Sequence, residues 1–303
     1  MDVIFLGNHT VGVKVLNILN KNKKLNLKGV IAHPKDLEDG IKYESVYRYA
    51  IENNIKVIRS DLKSKKDLEF ISFLKPDLIF VTDFKYILKQ NILDLPRIGS
   101  INLHPSILPK YRGRASINWA IINGESELGL TAHWIDQGID TGKIIKQIKF
   151  KLEFSDDINS VLIKYYSLYE QITTNIIDIL STEIPIGLEQ NENQATYYPR
   201  RKPSEGIINW NQYSLDIYNF IRAISYPYPG AFSFINNQKL IIWKSKPEYQ
   251  LKLKSNNIPG QIIKLTNNRI YVACKNSILE IIHYSPNKIN LKSGNIFKSK
   301  IKD

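Results

Sequence analysis

Residues 1–22, MDVIFLGNHTVGVKVLNILNKN, decide the fold. Val3, Ile4, Phe5 and Leu6 form a short apolar run that ends at Gly7, and Val11, Val15, Leu16 and Leu19 then recur at helical spacing. The opening is therefore strand, loop, helix. It lacks the basic start and small-residue cleavage site of a signal peptide, so a cytoplasmic location is expected. Further apolar runs follow at 29–33, 56–58, 77–82 and 100–103, with helical stretches around 44–53 and 65–75 between them. Strands alternating with helices build a mostly parallel sheet in a doubly wound, Rossmann-like α/β domain, whose ligands bind beyond the carboxyl ends of its strands.

A long helical stretch near 156–180 precedes a polar segment, GLEQNENQATYYPRRKPSEG, which reads as a linker. The expected division is a catalytic domain over 1–190, a linker over 191–204 and a second domain over 205–303. In that second domain a helix near 215–224 leads into short strands at 231–235, 240–244, 261–265, 269–273 and 278–283. Five such strands with Asn-rich turns suggest a small OB-like β-barrel. A chain of 303 residues is comfortable for two cores. No run approaches the roughly 20 apolar residues of a membrane span. The net charge of +13 welcomes an anionic folate tail, a nucleotide or nucleic acid without choosing among them. Cys274, the single cysteine, cannot form an internal disulfide and reads as a small core residue. No metal-ligand set is expected, and a homodimer is the expected assembly.

The chemistry concentrates in residues 100–142, SINLHPSILPKYRGRASINWAIINGESELGLTAHWIDQGIDTG. The strand at its start ends in Asn102-Leu103-His104, and period-two alternation sends Asn102 and His104 to one face at the carboxyl end. Asp136 and Asp140 flank a Gln-Gly-Ile turn before Thr141-Gly142. An amide, an imidazole and a carboxylate suit acyl transfer to an amine. The amine loses a proton as it attacks, the carbonyl oxygen gains charge, and the departing nitrogen must be protonated. Taken singly, His104 reads more simply as a strand cap, Asn102 as a turn residue and Asp140 as an Asx-turn residue; only together do they point to catalysis.

The stretch resembles the signature of the formyltransferases, Asn-x-His-Pro-Ser-x-Leu-Pro-x-Tyr-Arg-Gly followed by Asp-x-Gly-x-Asp-Thr-Gly. The resemblance implies a Rossmann-like catalytic domain that takes 10-formyltetrahydrofolate as formyl donor. Asn102 would stabilise the tetrahedral intermediate, His104 would shuttle protons and Asp140 would favour the protonated form of His104. It also carries a folate site onto Tyr86, Ile87, Leu88 and Arg114, and onto Asp136, Gln137, Gly138, Ile139 and Asp140.

Within the family the chain is similar to the formyltransferase domain acting on UDP-4-amino-4-deoxy-L-arabinose and to stand-alone nucleotide-sugar formyltransferases. Lys110-Tyr-Arg-Gly-Arg-Ala, Asn118-Trp119, Asn123-Gly124-Glu125, Arg200-Arg201-Lys-Pro and Tyr228-Pro-Gly-Ala-Phe-Ser233 carry that likeness. It implies a UDP- or dTDP-linked amino sugar destined for surface polysaccharide or lipopolysaccharide, with Lys110, Arg112 and Arg201 near its phosphates. The decarboxylase domain often fused to the arabinose enzyme is lacking, and Ile139-Asp140-Thr141-Gly142 replaces its Ala-Asp-Ala-Gly. A 3-amino or 4-amino dideoxyhexose is therefore open. Methionyl-tRNA formyltransferase is the alternative, but its longer basic loop is replaced here by HPKDLEDGIKY (33–43), whose Asp36, Glu38 and Asp39 would repel phosphate. Nucleic acid is accordingly not the expected partner. Glycinamide ribonucleotide formyltransferase would leave the residues after 205 unexplained. A formyl-folate hydrolase usually carries an amino-terminal regulatory domain, for which a strand at Val3 leaves no room.

Overall fold

The computed structural model describes residues 1–298 except 236, 267, 268, 287 and 288; residues 299–303, the end of the segment assigned to the second domain, lie outside the described residues. In chain order the elements are β1 (Asp2–Gly7), α1 (His9–Lys21), β2 (Asn26–Ala32), α2 (Val46–Glu52), β3 (Val57–Arg59), α3 (Lys65–Leu74), β4 (Leu78–Thr82), α4 (Gln90–Leu93) and β5 (Gly99–His104). There follow β6 (Arg112–Gly113), α5 (Ser116–Ile122), β7 (Glu127–Trp134), β8 (Ile144–Lys151), α6 (Ile158–Thr182), β9 (Tyr197–Tyr198) and α7 (Ser214–Ile224). The last strands are β10 (Ala231–Ile235), β11 (Gln238–Glu248), β12 (Ile262–Thr266), β13 (Arg269–Cys274) and β14 (Ser277–Ser285). No helix among the described residues is long and apolar enough to cross a membrane.

The chain divides into two compact units. The first comprises Met1–Gly113, Leu128–Phe150 and Ile163–Tyr197; the second comprises Arg114–Glu127, Lys151–Leu162 and Tyr198–Asp303. The second unit thus recruits two segments from within the range 1–190.

In the first unit a seven-stranded sheet runs β3-β2-β1-β4-β5-β7-β8. The five strands β1 to β5 are parallel, as the alternation of strands and helices implies. Val3, Ile4, Phe5 and Leu6 are fully buried, the mark of a strand covered on both faces. Val13, Val15, Leu16 and Leu19 of α1 are buried as well. Helix α3 starts at a capping box in which Ser64 and Asp67 satisfy each other's backbone N–H groups. Strands β7 and β8 are absent from the sequence-based reading. Gly129 weakens the pattern of β7, and β8 interleaves lysines with its apolar residues, so neither shows the continuous apolar run of the central strands. Strand β7 is antiparallel to β5 and places Asn102 opposite His133.

In the second unit the sheet order is β10-β11-β14-β13-β12, all antiparallel. The two edges share one covering segment: Phe234 of β10 exchanges two backbone hydrogen bonds with Lys298, and the Ile262 N–H of β12 donates to the Asn295 carbonyl. The segment thereby covers part of each edge strand. Cys274 is buried at the end of β13, and burial pushes its thiol up to about 12. The expected linker is an ordered segment with short 3-10 turns at Glu192–Gln194 and Pro203–Gly206.

Candidate active site

Strand β5 ends at the carboxyl edge of the parallel sheet with Asn102 and His104 on one face, His104 being 6% exposed. The loop after β7 brings Asp140 to them. That loop has a rigid construction. Asp136 accepts from the Gly138 N–H and the Thr141 hydroxyl, and Asp140 sits at φ +55, a backbone region that Asp tolerates better than most residues. A Cβ on Gly142 would lie 1.8 Å from the Trp134 carbonyl oxygen, so only glycine fits there. The Asp-x-Gly-x-Asp-Thr-Gly spacing is therefore the covalent form of one tight turn.

Around Asp140 the donors converge. Its Oδ2 accepts from the Gly113 N–H at 2.8 Å and lies 3.5 Å from His104 Nδ1; its Oδ1 lies 3.3 Å from Asn102 Nδ2 and 3.5 Å from His133 Nε2. Burial opposes ionisation of this carboxyl, but the two imidazoles and the Gly113 N–H outweigh it and hold Asp140 well below the usual carboxylate range. His104 Nε2 lies 2.8 Å from the Tyr111 carbonyl, an acceptor only, so Nε2 carries a proton. Asn102 Nδ2 also lies 3.2 Å from His133 Nε2. The two partners of Nδ2 lie 3.5 Å apart.

Of the residues expected to meet folate, Tyr86, Ile87 and Leu88 follow β4 at the same edge of the sheet. Leu88 is buried in the core cluster, Tyr86 packs against His33 and Phe84 with ring centroids 5.4 and 5.5 Å away, and Ile87 is 69% exposed. Asp136, Gln137, Gly138 and Ile139 form the exposed rim of the Asp140 loop, and Gln137 donates to Gln90 at the start of α4. The two expected folate segments therefore adjoin. Arg114 belongs to the second unit, where its N–H donates to the Tyr198 carbonyl.

Lys110 is exposed on the turn after Pro109. Arg112, expected at the phosphates of the substrate, is instead a structural residue. Its side chain is fully enclosed, and its five N–H groups are all engaged, by Gln190 Oε1 from Nε and Nη2, by Glu192 from Nη1 and Nη2, and by the Tyr197 hydroxyl from Nη1. None remains for phosphate. Gln190 in turn donates to the carbonyls of Asp140 and Gly142, so this network braces the Asp140 loop from behind. Replacing Arg112 by Met should cost about 2–3 kcal/mol in urea unfolding, because Gln190 loses its buried donors while Glu192 escapes to water. A loss below about 0.5 kcal/mol would contradict the bracing role. Arg201 lies in the second unit, its guanidinium 4.7 Å from the ring of Trp119 and 5.4 Å from that of Phe220.

His133, Gln190 and the Tyr111 carbonyl are site groups that sequence reasoning missed. His133 and Gln190 belong to no local motif, and the β5–β7 ladder and the Arg112 network bring them in; Tyr111 lies within the signature but acts through its backbone carbonyl, which a pattern of residue types does not show. No group of His, Cys, Asp or Glu able to hold a metal occurs among the described residues.

Comparisons with known proteins place the chain in a family. A family model described as formyl transferase matches residues 1–173, and one described as formyl transferase, C-terminal domain, matches residues 200–300. The chain is 35% identical over 300 residues to the bifunctional polymyxin resistance protein ArnA of Wigglesworthia glossinidia brevipalpis, which covers 96% of this chain and 44% of that relative. It thus spans less than half the length of that curated relative. Among solved structures, WlaRD, a sugar 3N-formyl transferase crystallised with dTDP and 5-N-formyl-THF, superposes with a TM-score of 0.71 at 25% identity, over 95% of this chain and 99% of that one. The N-formyltransferase from Helicobacter canadensis, in complex with folinic acid and dTDP-3-aminofucose, gives 0.67 at 26% identity, over 92% and 98%.

Proposed function

The chain belongs to the formyl transferase family, and from that premise we propose that it transfers the formyl group of 10-formyltetrahydrofolate to the amine of a UDP- or dTDP-linked amino sugar. The observation that carries the reading is the convergence of Asn102, His104 and Asp140 at the carboxyl edge of the sheet. The nucleotide-sugar part draws support from the two structural relatives, one crystallised with dTDP and the other with dTDP-3-aminofucose. In the loop at 33–43, Asp36 accepts from the Tyr43 hydroxyl and Asp39 pairs with Arg59, and such a surface does not invite a polyphosphate strand.

The amine attacks the formyl carbon, and the carbonyl oxygen becomes an oxyanion. The Asn102 side-chain amide is the donor that meets it, in a site where a fixed donor counts for more than in water. The proton leaving the amine and the proton gained by the departing folate nitrogen balance, so the chain needs only to carry one. His104 is placed to do so, with Nε2–H released from the Tyr111 carbonyl as a substrate atom replaces it. Asp140 faces Nδ1 and steadies the ring when it is charged.

Tyr86, Ile87, Leu88 and the 136–140 rim are the proposed pterin contacts, with Arg114 as a further folate contact. Lys110 and Arg201 are the proposed phosphate contacts. The product is proposed to enter surface polysaccharide or lipopolysaccharide synthesis, the reaction running in the cytoplasm on a homodimer. Mass spectrometry of acceptors incubated with the protein and formyl donor tests the reading. A sugar that exchanges one amine hydrogen for a formyl group supports it, and formylation of methionyl-tRNA alone overturns it.

A further inference from the structure

The loop from Pro105 to Tyr111 carries the carbonyl that meets His104, and Pro105 and Pro109 withdraw two backbone donors from it. Side chains hold it instead. Thr131 of β7 stands opposite His104 in the β5–β7 ladder and is fully buried. Its hydroxyl donates to the Ser106 carbonyl at 2.7 Å and accepts from the Leu108 N–H at 3.4 Å and from Gln147 Nε2 of β8 at 2.9 Å. Gln147 Nε2 also donates to the Leu108 carbonyl at 3.1 Å. Both carbonyls can only accept, so the Thr131 proton goes to Ser106 and the nitrogen end of the Gln147 amide faces the loop. Ser106 passes the hold on, its own hydroxyl donating to the Lys110 carbonyl at 2.8 Å.

Next to Lys110, Tyr111 sits at φ +61, a backbone conformation that a bulky residue keeps only when its surroundings impose it. Its carbonyl lies 2.8 Å from His104 Nε2, and its N–H donates to the Thr196 hydroxyl at 2.9 Å. A loop released on the Ser106 side would let Tyr111 relax out of the left-handed region and swing that carbonyl off the imidazole. We infer that Thr131, backed by Gln147, is a positioning residue for the reaction. It ties down the 105–111 loop, keeps the Tyr111 carbonyl against His104 Nε2 and so fixes the ring that carries the proton. This rests on the formyl-transfer reading and adds to it two residues outside the Asn-His-Asp set, which act through His104. A valine in place of Thr131 would keep the shape and lose the hydroxyl, whereas a serine would keep the hydroxyl.

The test compares Thr131→Val and Thr131→Ser with the full-length parent, using 10-formyltetrahydrofolate and whichever acceptor the parent formylates, with rates counted per folinic acid-binding site. Thr131→Val should lower kcat roughly 10- to 100-fold while the KM for the formyl donor stays nearly constant, since a slightly misplaced proton carrier acts on the transition state. Thr131→Ser should recover most of that loss. A purely structural role would lower the melting temperature and leave the rate per site unchanged. Gln147→Leu, at a half-buried position, should lose at least about threefold in kcat and stands in if Thr131→Val does not fold. Parent-like kcat per site in Thr131→Val, or in Gln147→Leu where it stands in, would overturn the inference, as would Thr131→Ser as slow as Thr131→Val. The NMR signal of the His104 Nε2–H proton gives a second reading that needs no acceptor. In Thr131→Val, or in its stand-in, it should move upfield and exchange faster with water, and an unmoved signal overturns the inference. If the parent formylates nothing, the functional reading falls, and that signal still judges the brace.

Discussion

Asn102→Ala is expected to lower kcat by about 10²- to 10³-fold, the usual cost of removing one oxyanion donor, and to leave the KM for 10-formyltetrahydrofolate within about twofold. The reasoning is geometric. Asn102 Nδ2 is held beside His133 Nε2 and Asp140 Oδ1 at the end of β5. The oxyanion that it is proposed to meet acquires charge only in the tetrahedral state, so ground-state binding loses little. Equal losses in kcat and in folate affinity would show that Asn102 binds the donor instead of stabilising the intermediate.

The second large effect is expected from Asp140→Asn. Asparagine tolerates the φ of +55 at this position, so the loop should keep its shape. What changes is charge and acceptor capacity. One amide end would meet the Gly113 N–H, while the other could not serve Asn102 and His133 as the carboxylate does. Losing a carboxylate that orients a catalytic histidine costs up to about 10⁴-fold in a comparable hydrolase, and a fall of at least about 10³-fold is expected here, with an altered pH–rate profile. Near-normal turnover with an unchanged profile would refute the coupling to His104.

The same substitution carries a stability signature. Asp140 is held below the usual carboxylate value, so its folded pKa is lower than the unfolded value of about 3.9. The unfolded chain takes up its proton first as pH falls. The contribution of this ionised group to stability is therefore complete above about pH 5 and disappears as pH drops through the folded value. Unfolding free energies of parent and Asp140→Asn should differ by a constant amount from neutrality to about pH 5 and converge below it. A difference that instead grows on acidification would mean that Asp140 is not stabilised as an anion.

Much of this was legible in the sequence because the relevant signals are local. The run Val3 to Leu6, the spacing of Val11 to Leu19 and the recurring apolar runs specify buried parallel strands and covering helices without reference to anything distant. Asn102 and His104 share a face by alternation alone, and the Asp136 to Gly142 spacing encodes a turn whose glycine is fixed by the Trp134 carbonyl. The remainder depends on pairings between distant segments. His133 becomes a site residue only because β7 runs antiparallel to β5, and nothing around Thr131-Ala-His-Trp announces that pairing. Arg112 illustrates the opposite error. In a loop with Lys110 and Arg114 it reads as one more phosphate ligand, and its burial follows from Gln190, Glu192 and Tyr197, which lie some 80 residues away. A cation's role is set by what encloses it, and enclosure is a property of tertiary structure.

The most direct test of the central claim supplies the purified protein with 10-formyltetrahydrofolate and a panel of UDP- and dTDP-linked amino sugars, beside methionyl-tRNA and a no-acceptor control, and follows tetrahydrofolate release. Turnover dependent on one nucleotide sugar, and abolished in Asn102→Ala, is the predicted result. Release that is the same without any acceptor, or that depends on charged tRNA alone, would contradict it.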